Sequence, residues 1–173
     1  MHVNDMKVFG FTGYSGSGKT TLIEQIIPRI VMQGLKVSLI KHAHHGFDID
    51  RPGKDSFRHR EAGCSEVLLT SDNRWVLMHE LRGAPEPDLF AQLQVLSPCD
   101  VVLVEGFKSV PIPKLEVHRP SHGRPLIFPE NPNVVAIATD ETLVGTLPPN
   151  LTHLDVNDPD RVTSFILSFL EIA

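Results

Sequence analysis

The chain has 173 residues, 41% hydrophobic and 21% charged, the proportions of an ordinary globular protein with room for one α/β domain. Sixteen basic against 21 acidic residues leave a net charge of −5, so no basic surplus points to nucleic acid. No apolar run approaches the length needed to cross a bilayer, which argues against a membrane protein. The two cysteines, Cys64 and Cys99, exclude a disulfide framework and are expected to be buried thiols of a reducing compartment. The first residues lack the basic start and long apolar stretch of a signal peptide, which completes the expectation of a cytoplasmic location.

In chain order, residues 7–12 read as a short buried strand that runs into a glycine-rich loop. A helix is predicted from about Lys19 to Gln33, where Leu22, Ile23, Ile26, Ile27, Ile30 and Val31 recur at helical spacing and Gly34 suits the C-terminal cap. Pro28 inside it removes one backbone donor and is expected to kink the helix or free a carbonyl. Residues 35–40 read as a second strand, which gives a strand–helix–strand unit with parallel strands. A polar loop over 41–53 leads to a short helix ending near Gly63, then to an antiparallel hairpin of residues 66–70 and 75–78. A helix over 88–95 precedes the very apolar strand 100–104, whose composition predicts a central strand covered on both faces. Eight of the 14 prolines fall between Pro111 and Pro149, so that third is expected to hold short strands, here 114–118 and 134–139, among loops. A last helix is predicted from about Pro159 to Glu171. With no linker composition and no internal repeat, residues 1–173 are read as a single nucleotide-binding domain. Its expected fold is a three-layer α/β P-loop fold with a mixed, mainly parallel sheet.

The chemistry concentrates in three segments. Gly13-Tyr14-Ser15-Gly16-Ser17-Gly18-Lys19-Thr20 matches the phosphate-binding pattern G-x-x-x-x-G-K-[ST] in full, between a predicted strand and a predicted helix. Gly13, Ser15, Gly16, Ser17, Gly18, Lys19, Thr20 and Thr21 are the nucleotide-binding candidates, with Lys19 directed at the outer phosphates and the Thr20 hydroxyl at Mg²⁺. Such a site needs a carboxylate at the end of a neighbouring strand, and Glu105 after Val101–Val104 fits, for a metal or for water. A structural pairing of Glu105 with a lysine such as Lys108 is the competing reading. In the polar loop, Asp48 and Asp50 are candidates for holding Mg²⁺ or orienting water, and Lys41, Arg51 and Lys54 for meeting an anionic substrate or partner. His42, His44 and His45 suit substrate or phosphate contacts and raise a transition-metal alternative that no accompanying metal motif supports. Asp140, at the end of a late strand, is equally a guanine acceptor or a turn cap.

At these residues the chain resembles the MobB family of molybdopterin-guanine dinucleotide biosynthesis proteins. The resemblance rests on Gly13–Thr20, on Leu39–His45 continuing through Phe47–Ser56, on Arg74–Met78, and on Leu103–Lys108. The Lys41–His45 and Asp48–Ser56 stretch followed by Val104–Lys108 is much more specific than the phosphate loop alone. The resemblance implies a SIMIBI-class P-loop protein, often homodimeric, that binds GTP with Mg²⁺ and hydrolyses it weakly. It also implies an accessory role beside a MobA-type nucleotidyltransferase, which joins GMP to molybdopterin. Carried over, Gly13, Gly16, Ser17, Gly18, Lys19 and Thr20 correspond to phosphate binders, Asp48 or Asp50 and Glu105 to acids on the metal side, and Thr20 to a metal ligand. Lys41, Arg51, Lys54 and Lys108 face molybdopterin or the partner enzyme in this reading, and the proline-rich third is the expected dimer or partner surface. The alternatives are an ATP-dependent kinase or ligase of the dethiobiotin synthetase type and a nickel metallochaperone GTPase.

Overall fold

The computed structural model describes residues 6–43, 46–141 and 147–172. In chain order the elements are β1 (Lys7–Thr12), α1 (Lys19–Met32), β2 (Val37–Lys41), α2 (Asp55–Glu61), β3 (Glu66–Thr70), β4 (Trp75–His79), α3 (Leu89–Val95), β5 (Val101–Glu105), β6 (Lys114–Val117), β7 (Val134–Thr139), β8 (Thr152–Asp155) and α4 (Pro159–Phe169). Two compact units emerge, one from the stretches 1–42 and 89–173 and the other from 43–88.

The larger unit is built on a six-stranded sheet of order β2-β5-β1-β6-β7-β8. Every pairing in it is parallel. β1 and β2 are parallel as expected, but β5 is inserted between them. The antiparallel pairing belongs to a separate two-stranded sheet, β3–β4, in the smaller unit. Alternation along β5 assigns the layers. Val101 and Leu103 join the core with Ile23, Ile26 and Ile30 of α1 and Val162 and Ile166 of α4, while Val102 and Val104 pack with Leu89 and Leu93 of α3. That two-sided burial is why the strand is continuously apolar, and burying each such side chain contributes about 1.5–3 kcal/mol. α1 runs through Pro28, which sits on the exposed side, so the unpaired Glu24 carbonyl falls on the solvent face.

Several local expectations change. Cys99 is buried, but Cys64 is exposed, and neither forms a disulfide. β8 has one buried residue, Leu154, and so carried no apolar alternation for a sequence reading to detect. In the proline-rich third, β6 presents Leu115 and Val117 to α1 and α4, and two fully buried charged residues, Lys114 and Glu116, to the other face. The Lys114 ammonium donates to the carbonyls of Val110 and Ile112, and burial lowers its pKa to about 8. Glu116 accepts backbone N–H bonds from Ile127 (2.8 Å) and Phe128 (2.9 Å), while burial pushes its carboxyl pKa up. The loops on either side of β6 are thus tied to the strand beneath them.

Candidate functional site

The site forms where β1, β5 and β2 end abreast, since Phe11, Glu105 and Lys41 share one level of the sheet. Gly13 leaves β1 with φ 145°, and a Cβ there would lie 2.4 Å from the Val117 carbonyl oxygen, so only glycine fits. Gly16 and Gly18 also have positive φ and turn the loop into α1. The first turn of α1 has no side-chain cap and no acidic residue, which leaves its N–H groups and the helix dipole available to an anion.

Lys19 folds back over this loop and donates to the carbonyls of Gly13 (2.9 Å) and Tyr14 (2.8 Å). Its pKa is lowered, first by burial and further by the nearby charges of Lys108 and Lys41, against the opposing pull of Glu105. Thr20 donates its hydroxyl to Glu105 Oε1 at 3.0 Å. The partner of Glu105 is Lys41, whose Nζ lies 3.2 Å from Oε2 and 3.5 Å from Thr20 Oγ1, not Lys108. A hydroxyl and a nearly buried carboxylate converging beside the phosphate loop are hard oxygen donors that suit Mg²⁺.

The end of β5 is interlocked with the end of β2. His42 N–H donates to the Glu105 carbonyl (2.9 Å), and its ring lies 5.0 Å from that of Phe107. Gly106 has φ 106°, and a Cβ on it would lie 2.8 Å from the His42 Cβ. Lys41-His42 and Glu105-Gly106-Phe107 therefore form a single fitted joint.

The family model described as "Molybdopterin guanine dinucleotide synthesis protein B" matches residues 8–140, a stretch that contains the loop and the joint. The chain belongs to the MobB family. It is 44% identical over 168 residues to the molybdopterin-guanine dinucleotide biosynthesis adapter protein of Haemophilus influenzae, covering 96% of this chain and 91% of that one. To the protein of the same name from Escherichia coli K12 it is 37% identical over 169 residues, covering 95% and 93%. In fold it is similar to the crystal structure of a MobB homologue from Bacillus stearothermophilus, with a TM-score of 0.72, 24% identity, and coverage of 97% and 100%. The sheet flanked by helices is thus the P-loop NTPase-like fold of MobB structures.

Of the MobB-type motif residues, Asp48, Asp50, Arg51 and Lys54 lie in the smaller unit, where sequence reasoning had missed the residue that holds the two aspartates, Arg60. Its guanidinium approaches Asp48 (2.9 Å), Asp50 (3.3 Å) and Glu80 (2.6 Å), and its pKa is raised by the hydrogen bonds to Asp48 and Glu80. Asp48 also accepts from the Asp50 N–H (2.8 Å), the largest cause of its lowered pKa. Asp50 accepts from the Arg51 N–H and the Ser56 hydroxyl, both at 2.9 Å, closing the loop onto α2. Lys54 is the residue preceding α2. His44 and His45 lie outside the described residues. Asp140 is engaged by Arg119 at 2.6 Å, the main cause of its lowered pKa, and Arg119 Nε also donates to the Ser17 carbonyl (3.3 Å). Asp140 is therefore connected to the phosphate loop through an arginine that carried no sequence motif. No described helix is long and apolar enough to cross a membrane.

Proposed function

We propose that this chain is a GTP-binding adapter in molybdopterin-guanine dinucleotide biosynthesis, working beside a MobA-type nucleotidyltransferase. The observation that carries the reading is the uncapped Walker A helix start, with Lys19 over the loop and the Thr20–Glu105 pair at its edge. Lys19 exchanges the two loop carbonyls for the outer phosphates, a charge-assisted bond that is stronger than the neutral-acceptor bonds it replaces. Thr20 and Glu105 would hold Mg²⁺, which when bound neutralises phosphate charge. Lys41 then balances either Glu105 or a phosphate oxygen. Asp48 and Asp50 carry the metal-side role only if they are released from Arg60. Asp140 either reads the guanine edge or holds Arg119 against the loop.

Slow hydrolysis and an accessory task belong to the same reading. Lys41, His42 and Lys108, with Arg51 and Lys54, remain the proposed contacts to molybdopterin or the enzyme. For a homodimer, the exposed face of the hairpin, with Leu68, Trp75 and Leu77, is a stronger contact surface than the proline-rich stretch. Titration of GTP·Mg²⁺ into wild type and Lys19→Ala tests the assignment. The variant is expected to lose about 100-fold in affinity, and unchanged binding refutes it. Capture of the nucleotidyltransferase with and without GTP tests the adapter role.

A further inference from the structure

The segment that leaves β6 runs along the phosphate loop. The Val117 carbonyl closes on Gly13, and His122 comes within 3.9 Å of a Cβ placed on Gly16. Between them, Arg119 reaches the far end of the loop. Its Nε donates to the Ser17 carbonyl (3.3 Å), and its Nη2 lies 3.4 Å from a Cβ placed on Gly18, so the guanidinium rests against the bare Gly18 α-carbon. We propose that Arg119 is a positioning residue of the nucleotide site, which sets the Ser17–Gly18 peptide so that the Gly18 N–H faces the bound phosphates. The proposal rests on the reading of the loop as a nucleotide site, and of the two roles open to Asp140 it assigns the holding of Arg119.

Three observations converge. The first is the geometry of the peptide itself. A trans peptide carries its C=O and N–H on opposite sides, so a donor that fixes the Ser17 carbonyl turns the Gly18 N–H away from Arg119. Among the described residues that N–H donates to no backbone carbonyl. Gly18 is the N-cap of α1 with φ 96°, and a glycine tolerates either orientation of the peptide before it, so the orientation has to be imposed from outside. The second is that the aim of Arg119 is preset. Pro120 restricts the residue before it to extended backbone, and Arg119 has φ −117° and ψ 104°. The pairing of Val117 with Ala138 brings Arg119 level with Asp140, whose Oδ2 meets Nη1 at 2.6 Å. Because the guanidinium is a rigid plane, gripping Nη1 also directs Nε at the Ser17 carbonyl. The third is that Ser17 has no room to withdraw. Its side chain is buried, with Oγ 2.8 Å from a Cβ placed on Gly13.

Without the latch the peptide is able to turn over, which presents a carbonyl oxygen to the phosphates in place of an N–H. The cost falls on the nucleotide complex as one hydrogen bond to a charged acceptor, about tenfold in affinity. The unliganded chain loses only a partly exposed ion pair, which contributes little to stability.

The test compares the full chain with Arg119→Gln and Arg119→Lys. GTP·Mg²⁺ affinity is measured by calorimetry, the melting temperature without nucleotide by circular dichroism, and the Gly18 amide proton by NMR. Both variants are expected to bind GTP about tenfold more weakly, while the nucleotide-free melting temperature stays within about 2 °C of wild type. The Gly18 amide proton should move downfield when GTP binds to wild type and move less in both variants. Lysine keeps the charge but cannot grip Asp140 and Ser17 with one plane, so wild-type affinity in Arg119→Lys overturns the proposal. Unchanged affinity in Arg119→Gln overturns it as well, as does weakened binding with the Gly18 response intact. Asp140→Asn should weaken GTP and inosine triphosphate, which lacks the guanine 2-amino group, by the same factor. A loss confined to GTP assigns Asp140 to the base and overturns its holding role. If Lys19→Ala leaves GTP affinity unchanged, the Walker A reading fails instead, a result distinct from each of these.

Discussion

Gly106→Ala probes the joint between β2 and β5 most directly. Two penalties arise at this position. A residue with a Cβ at φ 106° is strained by roughly 1–2 kcal/mol. The added methyl would lie 2.8 Å from the His42 Cβ, well inside carbon–carbon contact, and overpacking of this kind costs about 1–3 kcal/mol. The expected destabilisation is about 2–5 kcal/mol, the sum of the two. His42→Ala retains the Cβ and leaves the overlap in place, so the informative partner is His42→Gly. Urea unfolding of wild type, the two single variants and the double variant closes a thermodynamic cycle. The Gly106→Ala penalty should fall in the His42→Gly background to the strain portion alone, a coupling of roughly 1–3 kcal/mol. GTP binding should weaken with it, because the same joint sets Lys41 against Glu105. Additivity to within about 0.5 kcal/mol, or a Gly106→Ala variant as stable as wild type, would show that the joint does not constrain the site.

Three further outcomes are expected. Glu105→Gln removes the charge that faces Lys41 and Thr20, so the Mg²⁺-dependent part of GTP affinity should fall about tenfold while binding in EDTA is retained; calorimetry with and without Mg²⁺ measures this, and equal losses in both would reject the metal-side role. Glu116→Ala leaves two part-buried N–H groups without their acceptor and should cost about 2–4 kcal/mol in chemical denaturation, with a loss below about 1 kcal/mol counting against the anchor. Lys114 titrates near 8 in the fold against 10.5 ordinarily, so between those values the unfolded chain binds the extra proton. Its contribution to stability therefore rises with pH across that window. The difference in melting temperature between wild type and Lys114→Met should shift in favour of wild type from pH 7.5 to 9.5, and a shift the other way would contradict the sign.

The parts of this molecule legible in its sequence are those whose signal is local. The P-loop pattern, the period of α1 and the two-sided apolarity of β5 each follow from neighbouring residues, and Glu105 was found because a strand end is defined by the strand before it. What escaped depends on contacts between distant segments. Glu105 meets Lys41 because β2 and β5 are in register, whereas proximity in the chain had favoured Lys108. Asp140 meets Arg119 because β6 and β7 end side by side, and neither residue sits in a recognisable motif. The aspartates of the Asp48–Asp50 loop looked like free metal ligands until Arg60, ten residues beyond Asp50 on α2, accounted for their charge. β8 pairs with β7 through its backbone and buries little, so composition could not announce it.

The arrangement of Lys114 and Glu116 has a consequence for how this chain diverges. Both carry their loops from inside, through main-chain groups, so the side chains on the outer surface of those loops do not determine where the loops lie. Substitutions there are free to accumulate without disturbing the sheet, whereas replacing either inner residue loosens a loop from the strand beneath it. Across homologues, variation in this stretch should therefore follow the identity of whatever touches it, while the two inner positions follow the architecture.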